Sequence, residues 1–410
     1  MNFRFYPRPY PRGIIFFYLS CGMEDRFKER VSAAALGRIF GYEPLYVSGL
    51  VARLGSASAV FDLSPKEADA VLGPYSKYRG KICRAALDAA SAELEALSAR
   101  GFRYIACTEE DFPALLRDCP DCPAGLYYSS RSEPGEIFSG RPAVAVVGTR
   151  DISPYGREWT RKIVETCAQA PSRPCIVSGL AYGVDITAHL AALDCGLPTI
   201  AVLPCGIDSI YPAAHRKAAE RIREAPASAV VTDYPPGTSP VAFTFVRRNR
   251  IIAGLAACTV LVESKANGGG LITCRLADSY GREVFALPGR VDDIRSAGCN
   301  ALIRSGCAQA VCGLEGLGEQ LGLGKFDIRR KAGFAESVAA FYGARLDTLG
   351  LDSFTRIAAL IAENRGIELE ELCYRSGEPY NEVARIAMQL ETDGFICIDL
   401  MQRCTINARK

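Results

Sequence analysis

The sequence predicts an α/β protein with a mostly parallel, doubly wound sheet at its centre, a small helical domain ahead of it and a helix-rich domain with a β-ribbon behind it. Three observations carry this expectation. Between residues 143 and 313, short apolar runs alternate with helix-length segments. The runs are near-continuous in Val, Ile and Leu, as strands buried on both faces require. Outside that stretch the apolar residues recur at helical spacing instead. The length agrees, because 410 residues are too many for one small core and two or three domains are expected.

Residues 1–22 read as a loose extension. Arg4, Arg8 and Arg12 precede an apolar run at 14–19 that is too short to span a membrane, and Pro7, Pro9 and Pro11 oppose a helix there. Met23 is an alternative start. Residues 23–100 form the small helical, SAM-like domain, with helical runs at 27–38 and 81–99 and no strand-like alternation. A connecting stretch dense in Pro and Gly, 101–140, opens the central domain, 101–324. Candidate strands there are 143–147, 175–177, 199–203, 229–232, 259–262 and 283–287. In such sheets ligands bind outside the carboxyl ends of the strands. After a linker at 325–350, residues 351–410 offer helices at 355–364, 369–376 and 380–393 and alternating runs at 395–400 and 403–406, the plan of a winged helix.

Net charge is +2, so any surface for nucleic acid must be a local patch. Seventeen scattered cysteines, an odd number, read as reduced thiols of a cytoplasmic protein. Cys119 and Cys122 form a CxxC without a second pair or a nearby His, so no metal site is expected. No Walker A sequence occurs, and Gly148 is followed by Arg150 and Ile152 rather than by the further glycines of a dinucleotide fingerprint. The expectation is therefore no cofactor.

Three turns carry the binding chemistry. Strand 143–147 ends in Gly148-Thr149-Arg150, and Ser153-Pro154 then opens a helix with a capping Ser and a first-position Pro. A glycine turn feeding a helix N-terminus suits a phosphate, and Arg150 adds a full charge. Strand 175–177 leads into Ser178-Gly179-Leu180-Ala181-Tyr182-Gly183. Asp185 and His189, four apart on the next helix, read as a helix-start carboxylate and a structural His rather than a catalytic dyad. Gly268-Gly269-Gly270 follows strand 259–262. Three such turns along one sheet edge point to a groove for a polyphosphate or nucleic-acid backbone. The segment Phe243-Thr244-Phe245-Val246-Arg247-Arg248-Asn249-Arg250 combines charge with aromatic rings, as single strands need. On the residues alone, a basic turn of a core helix with Asn249 in a buried capping network fits equally well.

The chain resembles the DprA/Smf family, which protects incoming single-stranded DNA during natural transformation. The likeness runs through Val147 to Arg150, Ser153 to Gly156, Ser178 to Asp185 with Ala188-His189, and Gly206 to Asp208. It continues through Tyr211-Pro212 with His215, Phe245, Arg248 to Gly254, Gly268 to Thr273 and Val284 to Gly289. The resemblance implies an extended Rossmann-like fold, sequence-independent binding of single-stranded DNA, a homodimer, and loading of the RecA recombinase. It places DNA contacts on Arg150, Ser178, Gly179, Lys217, Phe245 and the run Arg248-Asn249-Arg250. The family's early helix-hairpin-helix signature is not matched at Phe40-Gly41-Tyr42-Glu43-Pro44.

The competing reading is an N-glycosidase of nucleotides. Asn267 to Thr273 echoes that motif, but three residues beyond Thr273 stands Leu276 where a catalytic carboxylate belongs. A non-enzymatic protein is expected, without membrane association. In the winged-helix region, helix 380–393 carries Arg385 as its one base, and Glu382, Glu391 and Asp393 oppose phosphate contact. DNA binding is therefore expected in the central domain.

Overall fold

The computed structural model describes residues 23–41, 43–323, 334–343, 345, 348–364, 366–399 and 402–406, so the extension at 1–22 lies outside the described residues. They fall into two compact units, one within residues 23–323 and one within 334–406.

The first unit is built on nine strands: β1 (Arg103–Ala106), β2 (Gly125–Ser129), β3 (Ala143–Val147), β4 (Cys175–Ser178), β5 (Thr199–Val202), β6 (Ala229–Thr232), β7 (Cys258–Leu261), β8 (Glu283–Ala286) and β9 (Gln309–Ala310). Their order is β1-β2-β6-β5-β4-β3-β7-β8-β9. All pairs from β6 to β9 are parallel, while β1 and β2 extend the β6 edge antiparallel. The sheet is the expected mostly parallel one, and all six expected strands are in it. The stretch 101–140, expected to be a connector, contributes β1 and β2. Both are short and bounded by turn residues, yet nearly every side chain in them is buried.

The strands alternate between two cores, as their period of two dictates. Ala145, Val147, Val177 and Val202 face the helices Ala242–Leu255 and Gly269–Ser279 through Ile251, Leu255, Leu271 and Ala277. Val144, Val146 and Ile176 face Pro154–Gln169 and Val184–Asp194 through Ile163, Val164 and Ala188. Further along that second face, Tyr104, Tyr127, Leu203 and Val230 are covered by Leu36 and Phe40 of Met23–Phe40 and by Leu94 of Arg84–Ser98. The helical region 23–100, expected as a domain of its own, thus shares a core with the sheet. Full burial of a Leu or Phe contributes about 1.5–3 kcal/mol, so a fragment beginning at residue 101 would expose a face that the whole chain keeps dry.

From β3 the chain winds through β4 and β5 to β6, then crosses back to lay β7 on the other side of β3. The helices that follow β3 and β7 consequently lie on opposite faces. A crevice opens between the carboxyl ends of these two strands, where α/β sheets hold their ligands.

The second unit packs the helices Phe334–Tyr342, Thr348–Glu363, Leu369–Ser376 and Tyr380–Thr392 around Phe354, Ile357, Ile361, Leu372, Ile386 and Leu390. Its three short strands are β10 (Ile367–Glu368), β11 (Ile396–Ile398) and β12 (Arg403–Ile406), in the order β10-β12-β11. Part of the stretch expected as a linker, 325–350, is therefore helical; residues 325–333 lie outside the described ones. Among the described residues, no helix is long and apolar enough to cross a membrane.

Candidate nucleic-acid interface

A groove of about 850 Å³ occupies the crevice at the ends of β3 and β7. Gly148, Thr149 and Arg150 line it from the first strand end, and Lys265, Asn267, Gly268, Gly269 and Gly270 from the second. The two turns meet closely: a Cβ added to Gly270 would lie 3.3 Å from the Cα of Gly148, and one on Gly148 would lie 2.6 Å from a methyl of Val184. A Cβ on Gly148 would also lie 3.0 Å from the Glu263 carbonyl and one on Gly270 2.7 Å from a methyl of Leu261, so side chains and neighbouring backbone together leave room only for glycine at the turn junction.

The three turns are not equivalent. At the first, the Ser153 hydroxyl caps Pro154–Gln169 by accepting from the Gly156 N–H at 3.0 Å. The buried carboxylate of Glu263 accepts from the Ser153 N–H at 3.0 Å and from its hydroxyl. An internal anion thus sits at the helix N-terminus where the sequence placed a phosphate, and it answers the same dipole. At the second turn, the buried carboxylate of Asp185 accepts from the N–H groups of Gly179 at 3.1 Å and Ala181 at 3.4 Å. Ser178 is fully buried and donates to the Val146 carbonyl at 2.6 Å. Gly179 is covered by the Arg248 guanidinium. Neither Ser178 nor Gly179 lines the groove, because the turn they form is closed from within. The third turn is open. No side chain caps the helix Gly269–Ser279, and a Cβ on Gly269 would meet nothing within 4 Å.

Aromatic and cationic groups join this open turn. The Arg150 guanidinium lies over the Phe245 ring, 4.8 Å from its centroid, and Tyr211 meets the same ring edge-on at 5.3 Å. A cation over a ring face is attracted by the ring quadrupole, so Arg150 is pre-positioned beside a surface on which a base can stack.

The basic segment divides along its helix, Ala242–Leu255. Phe245, Arg248, Asn249 and Ile252, spaced at i, i+3, i+4 and i+7, line the groove. Arg247 and Arg250 instead line a separate cavity of about 240 Å³ with Asp233, Tyr234 and Phe40. Arg250 is buried, paired with Asp233 and donating to the Asp121 carbonyl; Arg247 lies 3.8 Å from the same carboxylate. These two arginines are therefore not groove residues, because helical phase turns them toward Asp233. Arg248 reaches the groove floor, but only 4% of it is exposed. Its Nη1 donates to the carbonyls of Gly179, at 2.6 Å, and Val202, and its Nε donates to Asn249 Oδ1 at 3.3 Å. Lys217 is exposed on Arg216–Glu224 and does not line the groove.

Asp185 and His189 are structural. Burial raises the Asp185 carboxyl above its ordinary range, against the pull of Arg248 and the turn N–H groups. His189 shares a 2.7 Å hydrogen bond with Thr199 Oγ1, and burial pushes its imidazole down from 6.5 to about 3. The unfolded chain takes up a proton there below about pH 6.5 and the folded chain does not, so this group's contribution to stability is lost as pH falls through that window. Between pH 7 and pH 5 wild type should lose about 2 kcal/mol more than His189→Gln, read by denaturant titration.

Lys265 and Ile294 were not named from sequence, and Asn267 and Tyr211 appeared there only inside longer motif likenesses, not as binding residues. Lys265 and Asn267 stand between β7 and the glycines, a position that could have flagged them; Tyr211 and Ile294 arrive on long loops. Cys119 and Cys122 are buried, and burial raises the Cys119 thiol to about 11. Among the described residues no group of three or more His, Cys, Asp or Glu side chains is placed to hold a metal ion.

The family model described as DNA recombination-mediator protein A matches residues 103–322. Protein Smf of Synechocystis is 39% identical over 204 residues, a match spanning 50% of this chain and 50% of that protein's own length. Protein Smf of Escherichia coli is 34% identical over 292 residues, 71% of this chain and 74% of that protein. The X-ray structure of DNA processing protein A (DprA) from Streptococcus pneumoniae superposes with a TM-score of 0.51 at 32% identity, covering 68% of this chain and 97% of that one. With the family model spanning the whole nine-stranded sheet and a relative aligned over more than two thirds of its length, the chain belongs to the DNA recombination-mediator protein A family, the DprA/Smf proteins.

Proposed function

We propose that the chain is a non-enzymatic protein that binds single-stranded DNA in the groove between β3 and β7 without reading its sequence. The observation that carries this reading is the Arg150–Phe245 pair beside the one glycine turn of the three that no carboxylate of the chain fills. A phosphate at the Gly269 helix end, a charge on Arg150 and a ring for a base are what a single strand uses, and none of them distinguishes one base from another. Family membership supports a role in processing DNA taken up during transformation, with protection of the strand and its transfer to the RecA recombinase, by a cytoplasmic homodimer. The helix and strand order of the second unit supports a winged helix there. Arg385 in its helix Tyr380–Thr392 is held by Glu382 at 2.6 Å, which favours a packing or protein-binding role over phosphate contact.

The non-enzymatic reading is supported by the carboxylates that line the groove. Asp185 is engaged by backbone N–H groups and Asp151 is paired with Arg295 at 3.2 Å. Leu276 stands where an N-glycosidase would need its acid. The test is a titration of the full chain with labelled single- and double-stranded oligonucleotides, run beside an assay for base release from nucleoside monophosphates. Tighter binding of the single strand without base release is expected; base release, or binding of duplex as tight as of single strand, would refute the reading.

A further inference from the structure

The groove has two chemically different sides. Arg150, Lys265 and the uncapped helix end at Gly269 supply positive charge and N–H donors, while Phe245, Val246, Ile272 and Ile294 supply apolar surface. Val246 is 48% exposed and Ile294 66%, and they come from separate segments, the second turn of Ala242–Leu255 and the loop after β8. That loop is tied to the groove: the Arg295 carbonyl accepts from the Ser264 N–H at 2.8 Å, and the Arg295 guanidinium reaches Asp151 at 3.2 Å. Ile294 is therefore held at the rim by its neighbour.

A single exposed aliphatic residue is ordinary. Here aliphatic residues from two segments border a cationic groove, so the occupant has to be both anionic and apolar within one cross-section. An unpaired DNA strand is such a polymer, with phosphates along one side and free base faces along the other. A duplex hides its base faces in the stack and offers the rims only sugars and phosphates, against which exposed aliphatic groups gain nothing.

Resting on the reading of the groove as a single-strand site, we propose that Val246 and Ile294 are specificity-determining residues: they contact unstacked bases while the backbone lies on the Arg150–Lys265 side, and so select unpaired over paired DNA. A membrane surface combines the same chemistries, but it is flat and this site is concave.

The experiment compares the full chain with a double variant, Val246→Ser and Ile294→Ser, by fluorescence anisotropy. The probes are a labelled single strand, an abasic strand of equal length and a duplex, with anionic phospholipid vesicles as competitor. Both residues are exposed, so the variant should fold, which thermal unfolding checks. It should lose about tenfold in affinity for the base-bearing strand, the scale expected when two partly exposed aliphatic side chains no longer bury apolar surface against bases. Affinity for the abasic strand and the dependence on salt should stay as in wild type, so the preference for single strands narrows. Unchanged affinity for the base-bearing strand, an equal loss on the abasic strand, or displacement of DNA by vesicles would overturn the proposal. A wild type that does not prefer single strands would overturn the underlying reading as well. A wild type that prefers them beside an unaffected variant would sink only the role of the rims.

Discussion

Arg250→Ala should destabilise the folded chain by about 3 kcal/mol, the low end of the cost of breaking a buried ion pair from one side, because Arg247 at 3.8 Å still faces Asp233. Arg250 and Asp233 are each 4% exposed at their side chains and paired with one another, and Arg250 also donates to the Asp121 carbonyl. Asp121 is in turn held by the Tyr280 hydroxyl at 2.8 Å, so the arginine ties β6, the segment before β2 and the helix Gly269–Ser279 together. Arg248→Ala should be comparably costly, because the carbonyls of Gly179 and Val202 and the Asp185 carboxylate would lose the cation beside them. Denaturant unfolding measures both. Where either variant remains folded, the slope of log affinity against log salt should equal that of wild type, since neither guanidinium is free to displace counterions. An undiminished stability together with a flattened slope would show that these arginines reach phosphate after all.

Arg150→Ala and Phe245→Ala should separate charge from stacking. Loss of one phosphate contact flattens the salt slope by about 0.7, so Arg150→Ala should weaken binding of every sequence alike and change the slope by that amount. Phe245→Ala should cost about 1–3 kcal/mol of binding free energy with little change of slope, because stacking releases no counterions. The two effects should not add. The guanidinium lies over the ring, so removing either frees the other to move, and the double variant should lose less than the sum of the single ones. Full additivity across this cycle, measured by titration at several salt concentrations, would mean that the pair does not act as a unit on DNA.

Much of the fold was legible because buried parallel strands must be runs of small and branched apolar residues, and six of the nine announced themselves that way. β1 and β2 did not. Each is four or five residues long among prolines and glycines, and what makes them strands is the pairing of β2 with β6 and of β1 with β2, and burial beneath the N-terminal helices, none of which is written in their own residues. The same long-range packing merges the helical region with the sheet, although its sequence reads as a separate domain.

At the site, the glycine turns were legible as close approaches of backbone, but not which of them stays open. Glu263, which fills the first turn, lies 110 residues from Ser153 along the chain. Asp185, which fills the second, reads from sequence as an ordinary acidic residue at a helix start. The arginine run looked like one patch because it is contiguous. Helical phase divides it, with Arg248 and Asn249 on one face and Arg247 and Arg250 on the other, and the buried partner that settles the second pair, Asp233, belongs to a distant segment.

The central claim is that a single strand lies in the groove between β3 and β7, against Phe245. The most direct test is to irradiate the full chain bound to a strand carrying 5-iodouracil, which cross-links to aromatic rings it contacts, and to map the adducts by mass spectrometry. Adducts should concentrate on Phe245 and its neighbour Tyr211 and disappear in Phe245→Ala/Tyr211→Ala. Adducts confined to exposed aromatic residues of the second unit, such as Tyr374 and Tyr380, with none at the groove, would contradict the account.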